Sequence, residues 1–119
     1  MKAYSFKYFI TICHSGDNRY EHKHFHTLEV LLEVTDLDGR FGKFEQFGSI
    51  ERYGDMYLKQ YENIYLNDLP EFPRDARIET IGDVFFEGLE QVLTPNGLRL
   101  ERLEVGDSPL HTYVLTRKI

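Results

Sequence analysis

The chain has 119 residues, 41% hydrophobic and 29% charged, which is the content of one globular domain rather than a disordered chain. Fourteen basic against twenty acidic residues leave a net charge of −6, and this argues against the basic face that nucleic-acid binding requires. No apolar stretch approaches the roughly 20 residues of a membrane span and nothing at the start reads as a leader, so a cytoplasmic protein without membrane or nucleic-acid partners is expected.

In chain order, residues 1–14 alternate. Tyr4, Phe6, Tyr8, Ile10, Ile12 and His14 share one face, and the aromatic and β-branched content predicts a long β-strand. Cys13 is the sole cysteine, so no intrachain disulfide forms. It reads as a nucleophile, a metal ligand or a small buried hydrophobe. Its parity, opposite to that of His14, favours the last. Residues 15–19 are loop chemistry. A second strand is predicted from about Lys23 to Thr35, with Leu28, Val30, Leu32 and Val34 continuing the face of His24 and His26, and Asp36-Leu37-Asp38-Gly39 closing it as a turn.

The period then changes. Ile50, Tyr53, Tyr57, Tyr61 and Ile64 recur at helical steps, with Ser49 as the expected N-cap and Gly54 an internal cost of about 1 kcal/mol relative to alanine. A connector at Leu69–Pro73 leads to a second helix expected to open at Thr80, with Asp83 near its positive end. Ile81, Val84, Phe85, Leu89, Val92 and Leu93 form its apolar side, and Pro95-Asn96-Gly97 stops it. Leu98–Val105 and Leu110–Arg117 read as two further strands around Gly106-Asp107-Ser108-Pro109. The order β-β-α-α-β-β predicts an α+β domain, a four-stranded antiparallel sheet with two helices on one face.

His24-Phe25-His26 carries the most chemistry. At i and i+2 on a strand the two rings point the same way, roughly 6–7 Å apart along it. His14 ends the preceding strand and reaches the same spot if the two strands form a hairpin. Three neutral imidazoles with a fourth position open make a catalytic zinc arrangement, although nickel or iron would accept the same donors. The competing reading is three unrelated histidines. Nearby His22 is either a proton carrier or, more simply, a solvated loop residue.

These residues resemble those of the 6-pyruvoyltetrahydropterin synthase and 6-carboxytetrahydropterin synthase family, which has the tunnelling fold. The family's zinc histidines lie at the end of a first-strand motif and in a His-Gly-His ahead of an alternating strand, matching His14, His24 and His26, with Phe25 in place of the glycine. Its Asp-Phe-Gly helix entry resembles Gln46-Phe47-Gly48, and its Leu-Asp-His-x-x-Leu-Asn resembles Tyr61–Asn67. Its Pro-Thr at the second helix resembles Glu79-Thr80, and its Glu-Thr, whose glutamate anchors the pterin ring, resembles Glu104-Val105, followed by Tyr113. The family's proton-transfer Cys, Asp and His are here Tyr20, Glu62 and Asn63.

The resemblance implies a Zn2+-dependent lyase acting on a small-molecule pterin-like substrate. Its metal ligands would be His14, His24 and His26, its substrate contacts Glu104 and Thr80, and Glu62 the remaining catalytic carboxylate. It also implies a homo-oligomer, trimer or hexamer, closing into a barrel. For Glu104 the alternative is an ion pair with Arg99 or Arg102, and for Glu62 a helix-surface carboxylate. His111 either supplies the lost imidazole or is an exposed loop-end residue. A catalytically inactive zinc- and pterin-binding protein and a metal-bearing interaction module are the competing functions.

Overall fold

A computed structural model describes residues 3–37 and 44–117, the side chains of 44–47 excepted. Strand β1 (Ala3–His14) and strand β2 (His24–Asp36) form an antiparallel hairpin whose register pairs His14 with His24 and Ile12 with His26. Helix α1 (Phe44–Lys59) and helix α2 (Ile78–Leu93) follow, then strands β3 (Leu98–Ser108) and β4 (His111–Thr116). The sheet order is β1-β2-β3-β4, antiparallel throughout.

The alternation expected from the sequence sets the core. Ile10, Ile12, Leu28, Val30, Leu32 and Val34 are buried under the helices, together with Ile81, Phe85, Leu89 and Leu93 of α2. The other face of the sheet carries exposed Phe9, Phe25 and Val114.

Several boundaries differ from the expectation. Helix α1 is already formed at Phe44, so Ser49 lies inside it rather than capping it. It ends at Lys59, and Tyr61 to Ile64 form a turn in which Asn63 takes a left-handed φ of 59°. The Gln46-Phe47 side chains and the Asp38-Gly39 half of the expected turn lie outside the described residues. Helix α2 opens at Ile78 behind Arg77, which makes no side-chain cap, so Thr80 sits within the first turn.

Gly54 proves to be a packing requirement. A Cβ there would lie 2.3 Å from the Tyr8 hydroxyl, which donates to the Glu51 carbonyl at 2.9 Å. The tyrosine ring fills the place a side chain would take. Strand β3 carries the largest departure. Glu33 pairs with Arg102 but Val34 pairs with Leu100, so Glu101 is an extra residue and the strand's inward parity switches there. Leu98 and Leu100 face the core before the bulge, Leu103 and Val105 after it.

Candidate metal centre

The strand ends that carry the histidines meet at one end of the sheet, under the approach to α2. His14 is buried, and its Nδ1 lies 2.6 Å from the Ala76 carbonyl. A carbonyl only accepts, so Nδ1 carries the proton and Nε2 is left with its lone pair. That Nε2 is buried without a hydrogen-bond partner among the described residues. His24 repeats the arrangement from the opposite strand, its Nδ1 donating to the His22 carbonyl at 3.1 Å.

The three rings close on one another. Centroids are 4.6 Å apart for His14 and His24, 5.2 Å for His14 and His26, and 4.5 Å for His24 and His26. One ring nitrogen from each lies within 4.8 Å of the others. Burial holds the His14 imidazole below its ordinary pKa, helped by the two neighbouring imidazoles and opposed by the Ala76 hydrogen bond and the charge of Asp107. Three imidazoles whose ring nitrogens gather this closely, two of them oriented by carbonyls, could hold a metal ion.

The loop after β1 is pinned beside this cluster. Asn67 accepts from the Ser15 N–H at 3.0 Å and donates to the Ser15 carbonyl at 2.9 Å and to Asn18 at 2.8 Å. The Ser15 hydroxyl pairs with the Tyr65 phenol at 2.9 Å. Asn67 thereby does the work of a backbone segment and fixes the exit of the His14 strand.

The other sequence-derived residues are more scattered. Glu104 pairs across the sheet with Leu31 and Val114, on the face away from the helices and the triad. Its carboxylate accepts from Arg102 at 2.9 Å and lines a hollow of about 220 Å³ with Lys7, Glu29, Leu31 and Thr112. A single protomer does not bring Glu104 to the triad. The Thr80 hydroxyl donates to Asp75 at 2.5 Å, and this bond is the main reason the Asp75 carboxyl is held below its usual range. Glu62 accepts the Thr11 N–H at 3.1 Å on the outer edge of β1. The next residues continue along that edge, Asn63 N–H to the Thr11 carbonyl at 2.7 Å and Cys13 N–H to the Ile64 carbonyl at 3.1 Å.

The family model for 6-pyruvoyl tetrahydropterin synthase matches residues 2–118. The chain belongs to that family. No curated protein gives a significant match. Among solved structures, the 6-pyruvoyl tetrahydropterin synthase of Caenorhabditis elegans is similar, with a TM-score of 0.70 and 14% identity over 99% of this chain and 98% of that one. An uncharacterized protein from Wolinella succinogenes is also similar, with a TM-score of 0.61 and 14% identity over 99% of this chain and 100% of that one. At such identity the likeness establishes the tunnelling fold.

Within this 6-pyruvoyl tetrahydropterin synthase family member, the positions that depart from the family pattern are occupied in other ways. Tyr20 stands edge-on to Tyr65 at 5.2 Å and carries the Lys23 ammonium 3.7 Å above its ring. His22 pairs with Asp17 on an exposed loop, and that bond raises the imidazole pKa and lowers the carboxyl's. Cys13 is buried on the side opposite the triad. Sequence reasoning missed two contributors. The Ala76 carbonyl has no signature in residue type. Asp107 reaches the helix-covered face because the Glu101 bulge switches the parity of β3, which a count from Leu98 and Leu100 does not register.

Proposed function

We propose that this protein is a zinc-dependent enzyme of the lyase type acting on a pterin-like small molecule, folded as one domain over residues 1–119 and working in the cytoplasm. The observation that carries the reading is the buried, unpartnered Nε2 of His14, turned by the Ala76 hydrogen bond toward His24 and His26. A buried nitrogen without a partner costs free energy unless something binds it, and a metal ion is the partner that three converging lone pairs fit. His14, His24 and His26 would hold the ion. When bound, zinc polarises a carbonyl or hydroxyl of the substrate side chain.

The chain's own residues do the rest. Glu104 offers a carboxylate for the two N–H groups of an amino-pyrimidine edge. It lies on the opposite sheet face from the triad of its own protomer, so a ligand touching both takes them from different protomers. The β4 edge and the part of the β1 edge before Thr11 suit that arrangement. They bound the sheet, run antiparallel when one protomer follows another in a ring, and would close it into a trimeric or hexameric barrel. Thr80, beside Asp75 at the start of α2, is the second substrate contact. Glu62 is the surviving carboxylate of the proton-transfer set, with one oxygen already on the Thr11 N–H.

A binding protein without turnover is the second reading, and the engagement of Glu62 with β1 favours it. Incubation of zinc-loaded protein with dihydroneopterin triphosphate separates the two. Turnover that falls on Glu62→Gln is the expected result. Tight pterin binding with no product makes the protein a binder instead.

A further inference from the structure

The chain has five histidines, and His111 is the one that stands apart from the triad and from the loop that leads to it. It opens β4 across a tight hairpin, paired with Ser108 around Pro109 and Leu110. Tyr113, two residues on, pairs with Val105 on the helix-covered face, so His111 faces the same way. Asp107, two residues past Val105, reaches that face as well. Both line a hollow of about 210 Å³ together with Ile78 and Glu79 of α2 and with Thr112 and Tyr113. The Tyr113 wall is fixed, because its hydroxyl donates to Asp83 at 2.8 Å and its ring lies where a side chain on Gly82 would be.

This hollow sits at the catalytic end of the sheet. In an antiparallel sheet the end of β1, the start of β2, the end of β3 and the start of β4 share one end, and those positions are His14, His24, Asp107 and His111. The charge of Asp107 is near enough to act on His14. Meanwhile the residues at the positions of the family's histidine and cysteine are committed elsewhere, Asn63 to the β1 edge and Tyr20 to Lys23 and Tyr65. Among the described residues the His111 ring has no hydrogen-bond or ionic partner.

We propose that His111, with Asp107 beside it, carries the proton for the reaction at the triad and replaces the imidazole lost where Asn63 stands. The inference rests on the enzymatic reading above. A C–H proton leaves the hydroxyl-bearing side-chain carbon bonded to the dihydropterin ring, and its bonding pair moves into the bond to the ring as the adjacent ring C=N takes up the displaced pair. The proton is held on the free ring nitrogen of His111 and returned to the substrate. Glu79 from α2, Asp107 from β3 and Tyr113 from β4 are the ionisable groups that face the ring in the hollow.

The test is steady-state turnover of dihydroneopterin triphosphate by zinc-loaded wild type, His111→Gln, Asp107→Asn and Leu110→Ala, with zinc content measured on each. For His111→Gln the expected loss is about 100-fold or more in kcat, with KM and zinc content unchanged. Asp107→Asn lowers kcat less. Leu110→Ala, on the same exposed hairpin, behaves as wild type. Wild-type kcat in His111→Gln overturns the proposal and leaves the enzyme reading standing, as does a loss expressed only in KM or in zinc content. A wild type that binds zinc and pterin without turnover overturns both.

Discussion

At His14, one hydrogen bond decides what the ring can do. Donation from Nδ1 to Ala76 fixes the tautomer, and burial of the other nitrogen keeps the ring neutral. The folded pKa is therefore below the ordinary value of about 6.5. Between those two values the unfolded chain binds a proton that the folded chain does not, so stability falls as pH drops through this window. Metal-free wild type should lose Tm between neutral pH and pH 5, and His14→Gln should lose less over the same range. Parallel acid profiles for the two proteins would contradict the assignment. The His22–Asp17 pair works the other way. Its raised imidazole pKa favours folding below the unfolded value and loses that contribution as pH rises through the folded one. Its full exposure leaves it screened by solvent.

The elements show what the sequence could convey. Strand alternation was legible over β1 and β2 because one face is buried along most of the hairpin, so parity alone set His14, His24 and His26 on one side. The start of α1 was not legible, since the apolar period that marks a helix begins only at Ile50 and Ser49 imitates a cap. The Glu101 bulge in β3 was hidden as well, and with it the true facing of Asp107. Gly54 is the instructive case. Propensity alone makes alanine better there by about 1 kcal/mol. Packing against Tyr8 reverses the sign, and Gly54→Ala should destabilise by about 1–3 kcal/mol in denaturant unfolding. Asn67 joins the turn before α2 to the exit of β1. Asn67→Ala should cost about 1–3 kcal/mol, because it leaves the buried Ser15 backbone groups without partners, and it should weaken metal affinity.

For the whole molecule, the two faces of the sheet divide the proposed work. The helix face holds the triad at its end, and the opposite face holds Glu104, so the account requires protomers to combine. Light scattering in solution should give three or six times the 14.1 kDa of one chain, and a monomer at micromolar concentration would remove the shared site. The described part of the chain has no helix long and apolar enough to cross a membrane. Family membership and fold rest on almost the whole chain, residues 2–118, whereas the triad rests on the register of the β1–β2 hairpin. The proton-transfer set was less legible, since its residues depart from the family pattern; His111 was nameable as a candidate, but the facing of Asp107 beside it depends on a bulge in β3.

The central claim is that His14, His24 and His26 hold one metal ion. Elemental analysis of the protein purified without chelator, set against His24→Ala, tests it most directly. The account predicts about one zinc per chain for wild type and almost none for the variant, with the variant still folded because His24 is exposed. Wild type without stoichiometric metal, or a variant that keeps it, would contradict the account.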